Sequence, residues 1–417
     1  MIQKYFILCC FVLLLSAKAG AQNVSSPYSI LGIGDIENND YGRYSASGSA
    51  AVSRREVGFY NFSNPASLTV MPYKAINLDF SFRGRVSKFK LPGADTLTLP
   101  SKDFIIKRAT IAFKVTPTVA FAFGLKPYSS ANYKYVTTTA LNDGNTDLIK
   151  SADGSGGIYQ SYFSIAKEYK KHFSIGATAS WLFGAMQNTT EYYNSVIGLD
   201  VIKNENKFYN AAGLQGGLQY YTKAGKKWQH TIGLTASAFT KLKGQNTTDY
   251  TESSAIIKTS DHVNIEFKLP VSLGVGYSIA NNSGLSLHLQ GSYNKWSTQK
   301  LYYQNSYTKD AYGLSAGMEY SKRVSTPDYV IEKYYLGWGV KMEQSYLVIN
   351  NQHINDYGVT FGGGKNLSRL LSASAGIEVG KRGSSSLNQI KENYVQFHVG
   401  LTLKDIWYGT KRFGRYN

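Results

Sequence analysis

The sequence predicts an all-β fold: a transmembrane antiparallel β-barrel of about 14 strands, with an N-terminal hatch segment in the lumen. Three observations predict it. The chain opens with an export leader and then carries no cysteine. Apolar residues recur with period two over most of its length. No later stretch approaches the run of about eighteen apolar residues that a membrane helix needs.

Residues 1–21 form the expected leader. Lys4 supplies the positive start, Phe6 to Leu15 the apolar stretch, and Ala19-Gly20-Ala21 a small-x-small cleavage site, leaving Gln22 first in the mature chain. The apolar stretch is too short to span a bilayer. Cys9 and Cys10 lie inside it, too early for a lipoprotein signal and without small residues before them. The mature chain therefore has no disulfide, thiolate metal site or cysteine nucleophile. A large exported protein without disulfides needs another source of stability. A closed sheet in lipid is one, because it leaves no strand edge unpaired.

Tyr (33) and Gly (40) are abundant and Pro (9) is scarce, the balance of an outer-membrane barrel whose apolar signal is spread over alternating strands. The net charge of +18 falls to +16 without Lys4 and Lys18. Its basic residues gather at the ends of the apolar alternation, which suits solvated loops and rims. Two sharper uses are contact with lipopolysaccharide phosphates at the outer rim and a lumen that favours anions. Nucleic-acid binding does not fit, because the basic residues are scattered and the chain is exported.

Strand after strand follows from Phe104 onward. In Phe173–Phe183 the residues Phe173, Ile175, Ala177, Ala179, Trp181 and Phe183 share one face, and Ser174, Gly176, Thr178 and Ser180 the other. In a barrel the apolar face meets lipid and the small polar face lines the interior. Expected strands lie near 73–89, 104–115, 118–136, 158–169, 173–186, 208–222, 228–241, 261–279, 284–296, 306–321, 333–347, 355–364, 371–380 and 393–403. An even count places both ends of the barrel on the periplasmic side. Lys170–His172 and Ala224–Lys227 read as short turns there, and 187–207, 242–260 and 381–392 as long extracellular loops. Tyr and Trp near the strand ends, such as Tyr192, Tyr193, Tyr220, Trp228 and Trp296, suit an interfacial girdle. Residues 22–72 are rich in Ser, Gly and Asn with little periodicity; they read as a plug, the barrel as 73–404, and 405–417 as a tail.

Three segments carry a family resemblance. Gly58–Leu68 contains Asn64-Pro65-Ala66-Ser67-Leu68, preceded by the small-residue stretch Gly48–Val52. Leu269–Tyr277 reads Leu-Pro-Val-Ser-Leu-Gly-Val-Gly-Tyr and is followed one strand later by Trp296. The opening Ser26–Asp35 and the block from Gly380 to Trp407 complete the set. Together they resemble the FadL/TodX family of outer-membrane transport proteins, in an uncharacterised branch. The resemblance implies a fourteen-stranded barrel in the outer membrane of a Gram-negative cell. It also implies a hatch that hydrophobic ligands displace, and a side opening into the membrane. Asn64, Pro65 and Ala66 fall on the family's hatch motif. A proline can make a side opening by removing a ladder hydrogen bond, so Pro117 and Pro270 are candidates, with a turn and a rim bulge as their alternatives. Arg43, Arg54 and Arg55 suit an anionic head group, or equally barrel carboxylates such as Glu319, Glu343 or Glu378. The hatch lacks a strongly apolar pocket, and many inward positions are Gly, Ser and Thr, unlike a site for fatty acids.

Enzyme chemistry is not expected. The six histidines show no metal-ligand spacing, no Gly-x-Ser-x-Gly elbow is present, and neither Gly32-Ile33-Gly34 nor Phe361–Gly364 joins a strand to a helix. His288 and His398 fall beside inward serines, and a hydrolase would need one of them bonded to a serine and an acid. No cofactor or metal is expected. The expected function is a passive channel for small hydrophobic or amphipathic compounds. The alternative is a non-transporting barrel that serves as a scaffold or secretion-system partner for another outer-membrane protein.

Overall fold

The computed structural model describes residues 26–37, 42–91, 94–140, 147–194, 198–225, 227–252, 255–301, 306–325, 330–384 and 389–406. The expected leader and the tail beyond residue 406, with Trp407, Lys411 and Arg412, lie outside them.

Fourteen staves close into a barrel. In chain order they are strand 1 (Ala75–Leu91), strand 2 (Ala94–Lys114), strand 3 (Val119–Ser130, continued by Tyr133–Ala140), strand 4 (Asp147–Tyr169), strand 5 (Phe173–Asn194) and strand 6 (Leu199–Ala224). Strand 7 (Trp228–Phe239 and Leu242–Glu252), strand 8 (Ala255–Phe267 and Val271–Asn281), strand 9 (Leu285–Lys295 and Lys300–Leu301) and strand 10 (Ser306–Thr308 and Ala311–Ser325) are each interrupted once. Strand 11 (Val330–Ile349), strand 12 (Gln352–Asn366), strand 13 (Leu371–Arg382) and strand 14 (Lys391–Ile406) complete the wall. Every neighbour pair is antiparallel, and strand 1 against strand 14, with Leu78 opposite Leu403, closes it. The last strand runs to Ile406, past the expected barrel end at 404.

The alternation places side chains as a lipid solvent demands. Ile175 and Trp181 stand half exposed on the outer surface, while Ser174 and Thr178 beside them are buried. A belt of such residues surrounds the wall, among them Phe163, Leu234, Leu273, Leu336 and Phe397. Apolar surface on this scale is stable only against lipid. Strands 4, 5 and 6 have 23, 22 and 26 residues. About ten are enough to cross the hydrocarbon, so their outer halves stand clear of the membrane. The stretches 187–207 and 242–260, expected as loops, are mostly these outer strand halves; water on both faces removes the apolar alternation there. Likewise Lys381–Arg382 and Lys391–Glu392 belong to strands 13 and 14.

One seam departs from the regular wall. Strand 2 pairs with strand 3 only over Ala109–Lys114 against Ala120–Leu125. Beyond it, register against strand 4 shifts between Pro127 and Ser129, and Tyr128, Ser129 and Ser130 turn inward and are buried. The short hatch strand Asp35–Ile36 pairs with Ser130 and Ser129, and Glu37 N donates to Tyr128 O at 2.9 Å. Among the described residues, the hatch thus takes the place of strand 2 beside the outer half of strand 3.

Candidate functional site

The lumen is filled by residues 26–37 and 42–72, which carry three short 3-10 segments, Pro27–Ile30, Arg43–Ser47 and Pro65–Val70. Asn64 explains its motif. Its side-chain oxygen accepts from Ala66 N at 3.1 Å, capping the third segment, while its amide donates to Val52 O at 2.8 Å and to Leu218 O of strand 6 at 3.1 Å. A short side chain with both donor and acceptor is needed to hold a cap, a hatch loop and the wall together. Pro65 fits the first position of that segment, where no N–H is required.

Around the wall, inward glycines let the hatch backbone lie directly on the strands. Gly217 faces Asn64 and Pro65, Gly233 faces Val52 and Ser53, and Gly317 and Gly339 face Ser47 and Gly48. A Cβ on Gly176 would come 2.5 Å from Ala66 N, and one on Gly276 2.9 Å from Ser53 N. On strand 9, where no glycine serves, Gln290 Oε1 accepts from the amides of Ala51 and Val52 at 2.8 and 3.0 Å. These inward glycines are therefore contact points with the hatch, whereas Gly313 and Gly380 face other wall residues.

The three candidate arginines are all engaged. Arg43 pairs with Glu319 and, at 2.5 Å, with Glu332, and its guanidinium lies over the Tyr335 ring. Arg54 donates to Glu319 at 2.6 Å, to Ser47 at 2.6 Å and to Glu56 at 3.1 Å. Arg55 donates to Ser174 at 2.8 Å and Gln219 at 2.9 Å and stacks over Tyr221. Of the three expected carboxylates, Glu319 meets the hatch arginines, joined by Glu332 of strand 11, whereas Glu378 pairs with Lys341 at 2.7 Å.

Higher in the lumen, Asp35 accepts from Arg382 at 2.8 Å, and Glu37 pairs with Arg83 at 3.0 Å and with Lys107. Burial would push the Glu37 carboxyl up, but Arg83 and Lys107 outweigh it and hold it at about 2. Above these pairs, Tyr28, Leu31 and Ile33 of the hatch pack with inward Tyr128, Trp296 and Tyr346 into an apolar cap across the outer mouth. Trp296 and Tyr346 stack at 4.4 Å. Between cap and hatch lies a cavity of about 300 Å³ with a polar lining that includes Glu37, Arg83, Arg85, Lys126, Gln160 and Lys341.

Pro117 lies in the turn between strands 2 and 3, and Pro270 in the break of strand 8. The seam lies instead at Pro127, which the sequence reading passed over; Lys126-Pro127-Tyr128, breaking the alternation of Val119–Leu125, is the signal that marks it. His288 accepts or donates through Nδ1 to Ser278 at 2.8 Å and through Nε2 to Ser286 at 3.0 Å, and Ser278 also meets Ser53 of the hatch at 2.6 Å. Both ring nitrogens are occupied by serines, no acid among the described residues orients the ring, and the hatch covers it. Among the described residues no group of His, Cys, Asp and Glu is arranged to hold a metal.

A closed wall with an apolar outer belt and a filled bore defines the class: a plugged outer-membrane β-barrel. The profile of the BamG family matches residues 1–414, and the chain belongs to that family. No curated protein matches the sequence. In fold it is similar to solved barrels: a FadL homologue from Pseudomonas aeruginosa (TM-score 0.62, 11% identity, 90% of this chain and 100% of that one); the toluene transporter TodX from P. putida (0.59, 13%, 90% and 100%); and the toluene transporter TbuX from Ralstonia pickettii (0.57, 13%, 88% and 98%). These likenesses establish a FadL-type barrel fold.

Proposed function

We propose that this chain is a permanently plugged barrel that serves as a structural partner for other proteins of the outer membrane. The filled lumen carries this reading. Hatch and wall are joined by backbone contact at the glycines and by Arg43 and Arg54 on Glu319, and breaking a buried pair of this kind costs about 3–5 kcal/mol. The remaining cavity is charged, a poor route for an apolar solute.

The periplasmic rim supports the same reading. Lys74, Lys170 and Lys171 hold left-handed backbone, with φ of 61°, 50° and 56°. Asn and Gly suit such positions and lysine does not; each such residue costs about 1–3 kcal/mol. The extracellular turn Asn350–Asn351 has the same conformation, φ 50° and 62°, with the favoured residue type. Lysines kept at a conformational cost point to a use for their charge. Lys167, Lys223 and Lys227 are exposed on the same rim, which suits an acidic periplasmic surface.

A second reading, a gated passive channel for small hydrophobic or amphipathic compounds, is favoured by the seam between strands 2 and 3. One experiment separates the two: ion conductance and apolar-solute uptake in proteoliposomes, for the intact protein and for a form lacking residues 23–66. The structural role predicts no conductance and no uptake by the intact protein, and conductance after deletion. Apolar-solute uptake by the intact protein would establish the channel instead. Cross-linking in native membranes should then yield a defined outer-membrane complex, weakened by Lys170→Asn with Lys171→Gly.

A further inference from the structure

The outer end of the wall carries a second unusual arrangement of charge, on the surface facing the membrane and independent of the plug. Strands 13, 14, 1 and 2 are consecutive in the wall. Along their outer ends, side chains alternate strictly between lumen and lipid. Arg85, Ser87 and Phe89 are buried, while Val86 and Lys88 are exposed and Lys90 is half-buried. Glu392 and Tyr394 are buried, while Lys391, Asn393 and Val395 face outward. Lys381 on strand 13 and Lys102 on strand 2 face outward as well.

The register gathers these lysines. Lys88 stands opposite Asn393, and Asn393 opposite Lys381, so the three form one row. Lys102 stands opposite Val86, one step closer to the membrane centre. Lys90 stands directly opposite Lys391. Facing residues of an antiparallel pair have Cβ atoms about 5 Å apart, and like charges there are destabilising. The carboxylates of this region do not relieve it. Glu392 turns inward to Arg85 at 2.6 Å, and Asp103 turns inward to Arg83. None of the five lysines forms an ion pair among the described residues. Just below them the outer surface is apolar, with Val86, Phe104, Val379 and Phe397 exposed.

An anion that sits at this height, reaches across four strands and carries acyl chains down over the apolar belt would satisfy every part of the arrangement. We propose that this surface binds a phosphorylated glycolipid of the outer leaflet, the lipid A portion of lipopolysaccharide. Its phosphates would lie between Lys90 and Lys391 and along Lys88 and Lys381, with Asn393 as a hydrogen-bonding group in the row. Phosphatidylglycerol carries one phosphate and spans a narrower strip; a diphosphorylated disaccharide matches the width of the cluster.

The test uses the purified full-length barrel in detergent, with diphosphoryl lipid A, fully dephosphorylated lipid A and phosphatidylglycerol as probes. The proposal predicts saturable lipid A binding that weakens with added salt and falls about tenfold or more in the Lys88→Gln, Lys90→Gln, Lys381→Gln, Lys391→Gln variant. Dephosphorylated lipid A should bind at the level of that variant. In the pair variant Lys90→Gln, Lys391→Gln, thermal stability without lipid should hold or rise, and the gain on adding lipid A should vanish. All four lysines point away from the lumen, so heat-modifiable gel mobility should confirm that both variants are folded. A Lys90→Arg, Lys391→Arg variant should keep binding. Equal binding of dephosphorylated lipid A, or of phosphatidylglycerol, would overturn the assignment. So would unchanged affinity in the folded quadruple variant.

Discussion

The two halves of the hatch are held in different ways. The inner half, residues 42–70, lies backbone to backbone on the wall at Gly176, Gly233, Gly317 and Gly339, and is bolted by Asn64 and by Arg43 and Arg54 on Glu319. The outer half, residues 26–37, meets main chain where Asp35–Glu37 pairs with strand 3, and otherwise rests on an apolar cap and on the pairs Asp35–Arg382 and Glu37–Arg83, beside the charged cavity and the seam. Contact of main chain with main chain has no alternative arrangement. Side-chain ion pairs next to a cavity can exchange for water. The difference teaches that the inner half is a structural member of the wall, and that any mobility of the plug belongs to the outer half.

The most severe break should come from Glu319→Ala, which removes the carboxylate shared by two buried arginines and leaves Arg43 with Glu332 and Glu56, and Arg54 with Glu56. A loss of about 3–5 kcal/mol in equilibrium urea unfolding is expected, with earlier protease cleavage between residues 42 and 70. Gly233→Val should follow, at about 1–3 kcal/mol or more, because its side chain meets Val52 main chain that cannot yield. A hatch lying loose in the bore would leave that variant as stable as the native protein. Asn64→Ala should cost about 1–3 kcal/mol by leaving Ala66 N without its partner and removing the amide that joins Val52 O to Leu218 O, again with increased cleavage of the inner half only. The gentlest change sharpens the contrast. Glu37 is held at about 2, down from 4.5. Its stabilising contribution is therefore complete above about pH 4.5 and is lost as the pH falls toward 2. Hydrogen exchange of residues 35–37 should rise across that window in the native protein, while the amides of 64–68 stay protected. Glu37→Gln should remove the pH dependence.

The fold was legible because lipid enforces a strict period of two; each of the fourteen expected runs falls on a stave. Their lengths were not, since the outer parts of strands 4 to 8, such as Gln187–Asn194, are wetted on both faces and lose the pattern. Within the lumen, the Asn64-Pro65-Ala66 motif and the pairing of hatch arginines with Glu319 could be reached from residue types alone. Glu343 and Glu378, equally plausible by composition, meet other groups because register decides which inward carboxylate stands level with residues 43 and 54. The inward glycines were visible as a small polar face, yet only the path of the hatch shows that they are contact points. The seam at Pro127 was hidden because a proline beside a basic residue also fits an ordinary strand end.

The contact of Gly42 with Gly400 has a consequence for how the protein is made. Gly42 belongs to the N-terminal hatch, and Gly400 to the last strand, whose pairing with strand 1 completes the circle. Gly42 also lies beside Ser81 of strand 1, so the hatch touches both strands of the closing pair from inside. A hatch seated on strand 1 thus offers the last strand a second surface to dock on, and plugging and closure favour one another.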